Sequence, residues 1–308
     1  MITKEEIAAS FKQLQDSICS SLETVDGTGK FSSDKWLREA GGGGLTRAIT
    51  NGSAIEKGCV NFSEVSGSLP LFLADELRLK DRKSASFYAT GVSVVMHPVN
   101  PWVPIIHMNV RYFEVSDPEG KQQFLFRWFG GGIDLTPHYI NAIEAKQFHS
   151  EVKRICDKHH PTYYKTFKKE ADEYFFLKHR DETRGIGGIF FDKLIEIEGI
   201  KLVQRFQFVT DLGNLFAPLY IPMILNNTKR TFSDDNKQWQ LVRRGRYAEF
   251  NLIYDRGTKF GLETKGRTES ILLSLPPFAK WIYDFVPKHG SEEEKTMKCL
   301  IKGMNWIN

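Results

Sequence analysis

Residues 105–115 of this 308-residue chain read IIHMNVRYFEV, and no other run limits the fold as much. In an extended chain alternate side chains face opposite ways. Ile106, Met108, Val110 and Tyr112 then share one face, and His107, Asn109 and Arg111 share the other. The apolar face demands a core. The second face holds a base, an amide and a fixed cation in a row, which fits either a polar sheet edge with a structural arginine or the floor of a site. Residues 91–98, GVSVVMHP, repeat the design, with Val92, Val94 and Met96 on one side and Ser93, Val95 and His97 on the other. Two such strands point to a sheet with a core behind it and a site in front.

Around these strands the spacing predicts helices. Ile7, Phe11, Leu14, Ile18 and Leu22 recur at three or four residues, and Thr3 with Glu6 has capping-box spacing. Residues 142–158 and 162–179 form two further amphipathic patterns, with His149 and His179 beside the apolar stripes as packed or capping groups. Residues 199–216 read as another helix. Four glycines at 41–44 predict a flexible loop, and three at 130–132 strip side chains from the backbone just before Asp134. That aspartate is either a helix cap or a buried functional carboxylate. Residues 243–262 read as a strand ending in a turn, and 271–275 as an apolar strand.

The same last third carries Arg243, Arg244, Arg246, Arg256 and Arg267. Guanidinium forks match carboxylates in bidentate geometry, so this density suggests recognition of several carboxylates, with internal ion pairs taking some of the arginines. A net charge of +4 is too small and too dispersed for a nucleic-acid surface. No run reads as long enough to span a bilayer, and the first residues carry acids rather than a signal core. Four scattered cysteines without a CxxC pair fit a reducing, cytoplasmic setting. The expectation is a single domain over residues 1–308.

Read together, several long motifs become specific: GVSVVMHP at 91–98, HMNVR at 107–111, WFGGGIDLTP at 128–137, LKHR at 177–180, RGIGG at 184–188 and EFNLIYDRGT at 249–258. In that order, and nearly end to end, the chain resembles the oxygen-dependent coproporphyrinogen III oxidases. The resemblance implies an α+β fold, a broad antiparallel sheet flanked by helices on both faces, assembled as a homodimer through residues 247–282 (Tyr247 at one end, Ile282 at the other). It implies oxidative decarboxylation of two propionates of coproporphyrinogen III to vinyl groups, giving protoporphyrinogen IX, with dioxygen as oxidant and no organic cofactor.

By the same resemblance His107 is the proton donor, and Ser93, Asn109, Val110, Arg111, Asp255, Arg256, Lys265, Gly266 and Arg267 are substrate-binding residues. Asp134 joins His107 as a candidate catalytic residue, reading as the carboxylate that accepts pyrrole N–H bonds at the macrocycle centre. Arg111, Arg256 and Arg267 read as propionate clamps. Bacterial relatives add a possible divalent-metal set, manganese among the candidates, that falls on His97, His107, His149 and His179. Animal members carry a mitochondrial leader, which is not expected here, and Lys265 stands where bacterial relatives often carry glycine.

Overall fold

The computed structural model describes residues 2–39, 41–79, 84–117, 124–263 and 266–307, without the side chain of Phe72. Lys265, expected in a substrate loop, lies outside the described residues.

Seven strands form one sheet: β1 (Ser32–Leu37), β2 (Gly42–Thr50), β3 (Ile55–Ser68), β4 (Ser86–Pro98), β5 (Ile105–Ser116), β6 (Phe126–Thr136) and, last in the row, β9 (Gly187–Ile195). A separate short pair, β7 (Phe176–Leu177) and β8 (Glu182–Thr183), lies in the chain between β6 and β9. Neighbours in the sheet follow chain order and pair antiparallel throughout. The helices are α1 (Lys4–Asp26), α2 (Leu71–Glu76), α3 (Ala142–His159), α4 (Tyr163–Tyr174), α5 (Leu202–Asn227), α6 (Asp234–Ile253), α7 (Arg256–Glu263), α8 (Thr268–Leu272) and α9 (Glu292–Cys299). This is the expected α+β architecture, a broad antiparallel sheet with helices on both faces.

The alternation of β5 decides which side is which. Ile106, Met108, Val110 and Tyr112 join Val92, Val94, Met96, Ile133, Ile189 and Phe191 in the main core, closed from behind by α1, α3 and α5. That core runs from Ile7 to Trp306, one body of apolar packing for almost the whole chain. α1 starts at the predicted capping box, where Thr3 Oγ1 accepts from Glu6 N–H and Glu6 answers to Thr3 N–H. It ends at Asp26, whose carboxylate accepts from the N–H groups of Gly29, Ser53, Ala54 and Ile55 and so ties the helix to the β2–β3 turn.

The structure corrects several expectations. The glycines at 42–44 do not form the expected loop; they lie inside β2, as those at 130–132 lie inside β6. At Gly44 a Cβ would sit 2.4 Å from the Trp36 ring, so the indole lies over a bare strand. Residues 243–262 are α6 and α7 rather than a strand, and 271–275 begin in α8. The reason is burial on nearly every side of α6: Arg243, Arg244 and Arg246 point inward beside Val242, Tyr247 and Phe250, which erases the polar stripe that marks a surface helix. The predicted second helix of the 142–179 pair ends at Tyr174, leaving His179 in the β7–β8 turn. By length and composition α5 is apolar enough to cross a membrane, contrary to expectation. Here its Phe208, Leu212, Phe216 and Tyr220 are fully buried, and the helix packs against α1, α3 and the back of the sheet.

Candidate active site

The front of the sheet is built in rows by strand register. His107 on β5 stands beside Val95 on one side and Asp134 on the other, and Asp134 faces Gly188 of β9. The next row runs Asn61, Ser93, Asn109, Gly132 and Phe190, and the one after it Ser63, Gly91, Arg111 and Gly130. Apart from Phe190 and Arg111 these two rows hold small residues or asparagines, and Ser63, Ser93, Asn109, Arg111 and Phe190 are half-buried, which makes them a shallow floor reached by solvent. Over the His107 row sits α6. Tyr247 presses on Cys59, Val95 and Ile105, and Phe250 joins Phe175, Tyr174 and Phe190. His107 therefore stands at the border between the covered and the open half, its side chain 20% exposed.

Behind His107 lies a buried ion pair. Arg184 puts Nη2 2.6 Å from both Asp134 oxygens and Nε 3.2 Å from Oδ2, while its Nη1 donates to Asn251 Oδ1 at 3.0 Å. The guanidinium is itself enclosed by the rings of Phe175, Tyr247 and Phe250, 4.4–4.7 Å from their centroids. Asp134 Oδ1 also lies 2.7 Å from His107 Nδ1. Burial pushes the Asp134 carboxyl up, but the Arg184 charge and the His107 bond outweigh it and hold the group below the usual carboxylate range. An ionised Asp134 accepts the Nδ1 proton, which fixes the imidazole tautomer and leaves Nε2 for a ligand. Expected to meet pyrrole N–H groups, Asp134 is instead 1% exposed with both oxygens on protein partners. In this arrangement it positions His107.

Arg111 points along the open floor. Its Nη1 donates to Asn109 Oδ1 at 2.9 Å and its Nη2 to Asp192 Oδ1 at 2.8 Å. The path exists because of Gly130: a Cβ there would lie 2.6–2.8 Å from three guanidinium atoms of Arg111. Arg256, at the start of α7, stacks over Tyr174 and Phe190 and comes within 3.9 Å of the same Asp192. Two of the expected clamps thus converge on one corner. Arg267 is at the other end of the floor, paired with Asp34 of β1, and Gly266 precedes it.

The remaining expected residues divide. Ser93 and Asn109 lie on the floor, but Val110 faces the core and is fully buried, so its side chain cannot meet a ligand on the front. The Asp255 carboxylate accepts from Tyr174 Oη and from Thr258 N–H, acting as a cap for α7 rather than an open ligand. The four histidines are not brought together. His97 is buried under α6 with Nε2 on the Ser274 carbonyl, and burial pulls its pKa down to about 3. His149 sits in α3 behind the sheet, bonded to Tyr164 Oη and the Ile186 carbonyl, and burial takes it down to about 4. His179 is held by Tyr254 and Glu249. Among the described residues no group of three or more His, Cys, Asp or Glu side chains could hold a metal ion, so this donor set does not fit the expected metal. Arg184 and Asp192, by contrast, had been given no role from sequence. Only the β6–β9 register brings both beside the site.

Comparison with known proteins agrees with this geometry. Residues 6–306 match the family model described as coproporphyrinogen III oxidase. The oxygen-dependent coproporphyrinogen-III oxidase of Drosophila melanogaster is 48% identical over 96% of this chain and 76% of its own length. A chloroplastic oxygen-dependent coproporphyrinogen-III oxidase of Glycine max is 46% identical, covering 96% and 77%, and the Prochlorococcus marinus (strain MIT 9312) enzyme is 44% identical, covering 96% and 90%. Matched over nearly its whole length, with the sheet-face constellation in place, the chain belongs to the coproporphyrinogen III oxidase family.

Proposed function

We propose that this protein converts two propionates of coproporphyrinogen III to vinyl groups, giving protoporphyrinogen IX, with dioxygen as the electron acceptor. The observation that carries the reading is a partly exposed imidazole held by a buried Asp134–Arg184 pair, beside a bare floor that ends in a two-arginine corner. Each step turns R–CH2–CH2–COO⁻, O2 and one proton into R–CH=CH2, CO2 and H2O2. The porphyrinogen supplies two electrons and a proton, the carboxyl carbon leaves as CO2, and one further proton must come from outside the substrate. An unconjugated porphyrinogen is electron-rich, so we assign the oxidising power to dioxygen itself and no organic cofactor.

Arg111 and Arg256 hold a propionate; each charge-assisted bond contributes roughly 1.5–3 kcal/mol. Asn109 fixes the Arg111 fork, and Ser93 with Asn109 lines the floor under the macrocycle. His107 moves the proton through Nε2, held in one tautomer by Asp134. We infer further that two copies assemble through residues 247–282 and that the four unpaired cysteines suit a reducing cytosol.

Incubation with coproporphyrinogen III in air should give the divinyl product with two CO2 and two H2O2 per macrocycle, and nothing under argon. His107→Ala should lower kcat roughly 10²–10⁴-fold with KM within a fewfold of the original. If that variant turns over like the parent, His107 does not carry the proton.

A further inference from the structure

The strand that borders the open floor bulges at one point. Register steps from Phe129↔Leu194 to Gly131↔Phe191, so Asp192 and Lys193 together stand against Gly130 alone. Lys193 adopts φ +50°, a left-handed conformation that residues with side chains rarely take. Bulges of this kind re-aim a side chain. Here the re-aimed group is Asp192, whose Oδ1 accepts from Lys193 N–H at 3.0 Å and from Arg111 Nη2 at 2.8 Å, with Oδ2 3.9 Å from Arg256 Nη1. Lys193 itself turns away and pairs with Glu76.

The corner is accessible: the side chains of Arg111, Asp192 and Arg256 are 34%, 30% and 61% exposed. Among the described residues Asp192 is the one carboxylate within ion-pair distance of either guanidinium. Asp255, adjacent in the chain to Arg256, is occupied by Tyr174 and Thr258, and Glu170 of α4 senses the corner only at longer range. Two guanidiniums and one carboxylate leave one unit of positive charge.

We propose that Asp192 is a specificity-determining residue, a resident carboxylate that sets the Arg111–Arg256 corner to accept a single substrate carboxylate and that yields its place on Arg111 when that carboxylate arrives. This rests on the reading of the corner as a propionate site. With a propionate bound the corner is neutral. When that group leaves as CO2 the vinyl arm carries no charge, Asp192 returns to Arg111, and the corner regains its single positive charge for the next carboxylate. Asp192 thus lets go of the product side of the macrocycle while keeping affinity for the side still to react.

Binding is read under argon, where no turnover occurs, with coproporphyrinogen III as the probe at several ionic strengths. Asp192→Asn removes the competitor and keeps the volume; Kd should fall about fivefold to fiftyfold, with a steeper salt dependence. Asp192→Ser should do the same, which guards against a folding defect particular to one variant, and Asp192→Glu should restore the parental Kd. In air, the two neutral variants should retain the monovinyl tricarboxylate that the parent processes onward. Weaker or unchanged binding in both neutral variants would make Asp192 a mere support for Arg111 and overturns the proposal. Arg111→Gln separates the two readings: it should weaken binding at least about tenfold. If it binds like the parent, the propionate site itself has been misplaced, whatever Asp192 does.

Discussion

Asp134 stays ionised at a depth where an isolated carboxylate would take up a proton, and Arg184 is the reason. Removing one partner of such a pair strands the other charge. Arg184→Leu should therefore cost about 3–5 kcal/mol in a urea melt at neutral pH, with part recovered in Arg184→Leu/Asp134→Leu. The acid limb has a definite sign. The folded carboxyl titrates below its unfolded value, so its contribution is complete above the unfolded pKa near 4 and disappears as pH falls through the folded value. Asp134→Asn should be less stable than the parent at pH 7, and the gap should narrow steadily in melts taken from pH 5 down to pH 2. Asp134 was visible in the sequence because three glycines precede it. Arg184 carried no such mark: it lies 50 positions away, and only the pairing of Asp134 with Gly188 delivers its loop.

At the scale of elements the site depends on β6 being bare. Gly130 and Gly132 face the floor, and Gly130 makes way for the Arg111 guanidinium. Gly130→Ala should push Arg111 off Asn109 and Asp192, raising KM for coproporphyrinogen III about tenfold or more while costing only about 1–3 kcal/mol of stability. A comparison of KM with the melting midpoint checks both halves; an unchanged KM would show that Arg111 has no part in binding. β4 and β5 could be read from alternation because one face is buried and the other is not. The same logic failed for α6, where Arg243 pairs with Glu182, Arg244 with Glu56 and Arg246 with Glu249 inside the protein. A helix whose charges are buried has no polar face for periodicity to detect. The run at 41–44 failed for a related reason: glycines suggest a loop, whereas β2, like β6, uses them inside a strand so that Trp36 and Arg111 can cross.

For the whole molecule, α6 joins the site to the outer surface. Its Tyr247 and Phe250 cover the Asp134–Arg184 pair, while Leu252 and Ile253 on the same helix are 52% and 45% exposed. The segment after α8 is pinned to it, with Lys280 N–H on the Leu241 carbonyl and Trp281 Nε1 on Glu249. Yet that pinned segment leaves Phe278, Trp281, Tyr283 and Val286 between 56% and 98% exposed. Exposed apolar side chains at this density along one segment suit an interface, and a stable one buries about 800 Å² per partner. A second copy of this chain is the occupant expected from the family resemblance at residues 247–282, although only the outward residues of that segment can take part, because Tyr247 and Phe250 are fully buried. Sedimentation at micromolar concentration should give a species of twice 35.4 kDa. Phe278→Asp with Tyr283→Asp should halve that mass. Neither residue is among those that build the His107–Arg111–Arg256 floor, so substrate binding under argon should survive the change. Stability should fall if assembly through this segment supports α6, whose Tyr247 and Phe250 cover Arg184; a monomeric parent with the same melting midpoint as the double variant would separate α6 from any role in assembly.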